Sequence, residues 1–200
     1  MAKIKHLNFN APAPDLDLLS SGNKPVKLST LWAKKPALLA FTRHFGCTQC
    51  KEMLEELVQG QEQIAAAGLE IGVVYQGDGP STAKFAAEFA PGLRFFADPE
   101  REAYRAYGLE RGSLFQTVLN WQVLRAVMRS RKKGYPVEMP PAGQDAMQMS
   151  GTFIIGQDGR IRMPFYYDHI ADHPSLELLL SGVLATRWGQ PFEGPIGAKK

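Results

Sequence analysis

The sequence predicts an α/β protein, a three-layer sandwich with a central mixed sheet, and three observations carry that prediction. Short apolar runs alternate with segments of helical spacing from Ala37 to Gly108. A Gln157-Asp158-Gly159 turn between two apolar runs marks an antiparallel hairpin late in the chain. The only two cysteines, Cys47 and Cys50, head the first helical segment and lie one helical turn apart. Two hundred residues with 44% apolar content suit one globular domain, 1–200, with a core of its own and an insertion.

In chain order, Pro12, Pro14, Pro25 and the turn-forming Ser20-Ser21-Gly22-Asn23 give an extended lead with short strands, Val26 to Leu28 among them as an edge. Ala37 to Thr42 reads as a buried strand. From Cys47 to Ala67, Leu54, Leu57, Val58, Ile64 and Ala65 recur at helical spacing, and Gly68 stops the helix. Leu69 to Tyr75 is the next strand. Pro80-Ser81 opens a helix with Phe85 and Phe89 on one side, closed by Pro91-Gly92, and Leu93 to Ala97 is a short strand. Asp98-Pro99 reads as an N-cap followed by proline at the first helical position, with Gly108 ending that helix.

The segment 113–149 reads as a helical insertion. Ser113 to Lys133 carries Leu114, Val118, Trp121 and Met128 roughly in line, and a loop through Pro136, Pro140 and Pro141 follows. The core of the protein is expected to cover that stripe; a hydrophobic ligand or a second subunit, giving a homodimer, is the alternative. The hairpin Thr152 to Ile155 and Ile161 to Met163 comes next. Pro174-Ser175 begins a last helix with Leu176, Leu179, Leu180, Val183 and Leu184 on one stripe. This order of strands and helices is thioredoxin-like.

Cys47-Thr48-Gln49-Cys50 concentrates the chemistry. A disulfide across so short a loop removes little chain entropy, so its value is chemical rather than structural. At a helix N-terminus the free N–H groups and the macrodipole favour a thiolate, which makes Cys47 the nucleophile. Cys50, one turn deeper and expected to be less exposed, is the resolving thiol. A CxxC also forms half of a zinc site, but no second CxxC or HxxxH completes it and His44 alone leaves the shell short; no metal and no cofactor are expected.

The formal charge of +3 is spread along the chain except at Arg125, Arg129, Arg131, Lys132 and Lys133. That cluster reads as the cationic C-terminal end of a helix rather than as a nucleic-acid site. Met1 to His6 lacks the apolar core of a signal peptide, and no run is long enough to span a bilayer. A cytoplasmic protein with no membrane partner is expected, in which a CxxC is catalytic or sensory rather than a permanent staple. Asp168-His169 and Asp172-His173 read as helix-start chemistry, and Gly77-Asp78-Gly79-Pro80 as a turn without the lysine of a phosphate loop.

Phe41-Thr42-Arg43-His44-Phe45-Gly46-Cys47-Thr48-Gln49-Cys50 resembles the RHFGCxxC signature of AhpC/TSA-like, peroxiredoxin-like proteins. Ala13-Pro14-Asp15-Leu16 is similar to the APDF opening of peroxiredoxins, and Gly151 to Ile161 to their late GxFxIDxDGxI hairpin; the similarity covers most of residues 10 to 185. The resemblance implies a thioredoxin-like fold and thiol redox chemistry on Cys47 with Cys50 as partner. It implies a peroxide or disulfide substrate and a thioredoxin-like or small-thiol reductant. Two standard supports are missing: His44 stands where peroxiredoxins place the peroxide-orienting threonine, with Ala40 for the loop proline, and Ser150-Gly151 stands where an arginine or a cis-proline is found. Arg43 is the candidate cation for the thiolate, and His44 the candidate donor to the leaving oxygen or thiolate. A non-catalytic redox sensor or partner-binding module is the other class of function these residues allow.

Overall fold

The computed structural model describes residues 6–117, 120–135 and 138–181. Its strands are β1 (Asp17–Leu19), β2 (Pro25–Lys27), β3 (Ala37–Phe41), β4 (Glu70–Tyr75), β5 (Arg94–Ala97), β6 (Gly151–Ile155) and β7 (Ile161–Tyr166). Its helices are α1 (Thr48–Gln59), α2 (Gln61–Ala66), α3 (Gly79–Phe89), α4 (Glu102–Ala106), α5 (Leu114–Thr117), α6 (Trp121–Lys132) and α7 (Leu176–Ser181). Val118, Pro136, Val183 and Leu184, which the sequence reading used, lie outside the described residues.

The strands form one mixed sheet in the order β2-β1-β5-β4-β3-β6-β7. Central β3 pairs parallel with β4, Ala37 opposite Glu70 through Phe41 opposite Val74, and antiparallel with β6. Every residue of β3 is buried, because its alternating side chains feed two cores. Leu38 and Ala40 join Leu54, Val73 and Ile154 on one face; Leu39 and Phe41 join Phe96, Tyr104 and Phe153 on the other. The parallel strands β3, β4 and β5 therefore end together, and the Arg43–Cys50 segment leaves the sheet at that end. No helix among the described residues is long and apolar enough to cross a membrane.

Four local expectations are corrected. The helix expected over Cys47 to Ala67 is two helices meeting at Gly60, where an added Cβ would sit 2.5 Å from a methyl of Leu176; the bare backbone lets the last helix approach. The apolar period continues across the break because Leu54, Leu57 and Ile64 share one core. Pro99 is not at the first position of α4: Arg101, at φ 55°, is its N-cap residue, and the Asp98 carboxylate reaches forward to the N–H groups of Glu102 and Ala103 at 3.0 and 2.8 Å. The helix expected over Ser113 to Lys133 is likewise two, with Asn120 capping α6 through the Gln122 N–H at 2.8 Å.

The fourth correction concerns the apolar stripe of the 113–149 segment. Leu114, Trp121 and Met128 are 63%, 65% and 46% exposed, so the core does not cover them. The face of α6 that turns inward is Val123, Ala126 and Ser130. Small Ala126 and Ser130 allow close approach to α1, and α1 offers a buried carboxylate, Glu52, as partner.

Candidate active site

The site is built on the turn between β3 and α1. Cys47 is the N-cap residue of α1; its N–H donates to the His44 carbonyl at 3.0 Å, and its sulfur accepts the Cys50 N–H at 3.2 Å. One of the orphan N–H groups of the helix start is thus spent on the thiol. The Arg43 N–H donates to the Cys50 sulfur at 3.3 Å, while its guanidinium stands 3.8 Å from the Cys47 sulfur. That guanidinium is buried and held from behind by the carbonyls of Gln148, at 3.0 Å, and Ala146. Gln76, at the end of β4, donates to the Arg43 carbonyl.

Electrostatics separates the two thiols. Burial by itself would raise Cys47, but the hydrogen bond from Cys50 and the nearby Arg43 charge outweigh it and hold the thiol below its ordinary value. Cys50 goes the other way, raised by burial and by the hydrogen bond and charge of Cys47. The expectation that Cys50 would be the less exposed thiol is corrected: the two are 3% and 5% exposed, Cys47 the lower. What separates them is the hydrogen bond between the two thiols, the Arg43 charge and the Cys50 N–H, not depth.

His44 is buried beside this pair, with no partner for its Nδ1 among the described residues. Burial first, and then the Arg43 charge, push its imidazole down to about 4, so the ring is neutral at physiological pH. Its carbonyl shapes the Cys47 turn; any donation from the ring would come from a neutral imidazole rather than an imidazolium.

The remaining partners come from the 113–149 segment, which lies over the turn. A Cβ on Gly46 would meet the carbonyl oxygen of Glu138 at 2.5 Å, so only glycine allows that backbone so close. Lys51 pairs with Glu138 at 2.6 Å, and Gln49, inside the CxxC, donates to Ser130 at 2.9 Å. Glu52, 1% exposed, accepts from Arg129 at 3.1 Å, Lys133 at 2.6 Å and Ser130 at 3.0 Å, which hold its carboxyl down to about 2 against the upward push of burial. Two members of the basic cluster, Arg129 and Lys133, about half exposed themselves, therefore pair with a buried acid of α1. The Cys47 sulfur beneath this segment is 3% exposed.

Beside the cover lies a cavity of about 630 Å³, lined by Phe45, Gln76, Asp78, Lys84, Arg101 and Gln144 among others. It opens at the carboxyl ends of β3, β4 and β5, where open α/β sheets bind ligands. Gly77-Asp78-Gly79-Pro80 forms its lip as an N-cap, Asp78 accepting the Ser81 N–H at 2.8 Å. The acid–imidazole pairs lie elsewhere: Asp172 accepts the Asp168 N–H, His169 accepts the Ala171 N–H, and His173 stands 3.3 Å from Glu56.

Sequence reasoning missed Gln148, Gln76, Glu52 and Ser130. The i, i+4 pair Arg129 and Lys133 was the one available signal for a buried acid opposite. The rest are long-range contacts with no local mark.

A sequence profile of the AhpC/TSA family matches residues 9–163. The chain is 24% identical over 176 residues to Peroxiredoxin-like 2C of Bos taurus, covering 85% of this chain and 77% of that one. It is 25% identical over 168 residues to a prostamide/prostaglandin F synthase of Salmo salar, covering 80% of each. The fold is similar to that of reduced Prx3 from Vibrio vulnificus in complex with hydrogen peroxide, with a TM-score of 0.64 and 16% identity over 88% of this chain and 97% of the other. With the profile spanning strand β1 through the hairpin, the chain belongs to the AhpC/TSA family, and it is a thiol-dependent oxidoreductase whose particular reaction the family leaves open.

Proposed function

We propose that the protein reduces hydroperoxides in a two-thiol cycle. The observation that carries the reading is the single sulfur of Cys47 receiving both the Arg43 guanidinium and the Cys50 N–H. The Cys47 thiolate attacks one peroxide oxygen; the O–O bond breaks, the departing alkoxide takes a proton, and sulfur, losing two electrons, becomes a sulfenic acid. Cys50 then attacks that sulfur, the S–O bond breaks, water leaves, and a Cys47–Cys50 disulfide forms. A thioredoxin-like dithiol, or two equivalents of a small thiol, returns two electrons and two protons by exchange. Arg43 favours the thiolate and faces the charge that develops on oxygen. No cofactor takes part, and the reducing cytoplasm suits a cycle that ends on a reductant.

Burial favours a peroxide over a protein disulfide. At 3% exposure Cys47 admits a small molecule after a modest shift of the cover, whereas in-line attack on another protein's disulfide needs the sulfur at the surface. Dithiol–disulfide exchange is the second reading, favoured by the CxxC itself.

Rapid mixing of reduced protein with a hydroperoxide separates the two. Under the proposal, Cys50→Ser reacts once and leaves a trappable sulfenic acid on Cys47. Cys47→Ser lowers turnover at least about 10³-fold. Inertness toward peroxide together with reduction of a small disulfide would establish the second reading instead.

A further inference from the structure

Exposed large apolar side chains are concentrated in one place. Of the seven among the described residues, six are Leu114, Phe115, Trp121, Leu124, Met128 and Met139; Phe9 alone lies outside 113–149. On α6, Trp121, Leu124 and Met128 share the outer face with Arg125, Arg131 and Lys132, within a sector of roughly 120° at 3.6 residues per turn. All six are exposed. Diametrically opposite are Val123, Ala126 and Ser130, which pack inward. Neither α5 nor α6 contains an acidic residue.

We propose that this outer face docks on an anionic lipid bilayer, with α6 lying in the interfacial plane. The inference stands independently of the peroxide reading, and it revises the expectation of no membrane partner. A helix with tryptophan, leucine and methionine between cations is matched by acyl chains beneath and lipid phosphates around it. A second copy of the chain fits poorly, because a two-fold contact would set Arg125, Arg131 and Lys132 against themselves with no acid to pair. Nucleic acid would satisfy the cations but leave Leu114, Leu124 and Met128 without an apolar counterpart. The cationic residues that serve the active site are different ones, Arg129 and Lys133, turned to Glu52. Docking through the outer face therefore leaves the pairing of Arg129 and Lys133 with Glu52 in place.

The test is co-sedimentation of the reduced full-length protein with vesicles of phosphatidylcholine alone and of phosphatidylcholine containing phosphatidylglycerol. Binding to the anionic vesicles only, weakening as salt is raised, is expected. Leu124→Ser with Met128→Ser should cut partitioning roughly ten-fold. Arg125→Glu with Lys132→Glu should do so by about ten-fold or more, and stands in if the first pair fails to fold. Trp121→Phe should abolish most of the fluorescence blue shift on binding, the other two tryptophans being Trp32 and Trp188. No binding to either vesicle, equal binding to both, or variants that partition like the parent would overturn the proposal. So would a lipid-free dimer that Leu124→Ser dissolves, or duplex DNA that competes fully with the vesicles.

Discussion

The turn that carries the thiols and the segment that covers it hold polar groups in opposite ways. In the turn from Arg43 to Cys50 the contacts to the two sulfurs are local, made by the Arg43 and Cys50 N–H groups and the Arg43 guanidinium within eight residues, although that guanidinium is itself held by the distant carbonyls of Ala146 and Gln148; the strand β3 behind them is wholly buried. In the cover, Glu138, Ser130, Arg129 and Lys133 reach partners some eighty residues away in the chain through charge pairs and hydrogen bonds, beside the apolar packing of Val123. The difference teaches that the electrostatics of the thiols and the segment lying over them rest on different contacts, the first on groups beside the sulfurs and the second on charge pairs across the chain, so that substitutions can address them separately.

Substitution of Arg43 should give the largest effect on the turn. Arg43→Met removes the charge beside Cys47, and the thiolate titration, followed by ultraviolet absorbance, should move up by about one pH unit or more, with reaction below neutrality slowed roughly ten-fold. Arg43→Lys should recover part of that shift. An unchanged titration in Arg43→Met would mean the arginine serves only to tie Ala146 and Gln148.

Gly46→Ala tests the cover without altering any charge. Its Cβ would press on the Glu138 backbone at 2.5 Å, so the cover should lift, costing about 1–3 kcal/mol. Alkylation of Cys47 by a bulky maleimide should accelerate several-fold while the Cys47 titration stays put. A slower or unchanged alkylation would show that access does not run under Glu138.

Glu52→Gln should loosen the same clasp from the α6 side by about 2 kcal/mol, less than a fully buried pair would lose because Arg129 and Lys133 can turn to water. The carboxyl is held down to about 2 in the folded protein, below its unfolded value. Its stabilisation is therefore complete above the unfolded value near 4.3 and is lost as pH falls toward 2. Thermal unfolding between those pH values should lose this component in Glu52→Gln.

The smallest effect at neutral pH belongs to His44. Held down to about 4 when folded, its ring binds a proton more readily in the unfolded chain, so acid favours unfolding between about 6.5 and 4. His44→Gln should flatten that part of the stability curve, by on the order of 3 kcal/mol at full development, and leave the neutral-pH profile of peroxide reaction to the thiol alone. A bell-shaped profile that loses one limb in His44→Gln would instead give the imidazole a proton-transfer role.

Much of this was legible in residues that act on their neighbours. The β3 run, the Gln157-Asp158-Gly159 hairpin and Cys47 at a helix start depend on period and turn chemistry, and the structure holds them where the pattern put them. The breaks at Gly60 and Asn120 were not legible, since the apolar period runs on through both. The stripe of Trp121 and Met128 was visible as a stripe, but the face of α6 that turned inward meets the core through Val123 and the buried Glu52 through Ser130, both partners on other elements.

By itself, then, the sequence determined the sheet's central strand, a cysteine pair at a helix start and a cation beside it, because each depends on spacing along a few residues. Only the tertiary structure decided that the pair is buried, that the imidazole is neutral, and that α6 turns Trp121, Leu124, Met128, Arg125, Arg131 and Lys132 outward. Those properties depend on desolvation and on partners eighty to a hundred residues distant, and no local period records them.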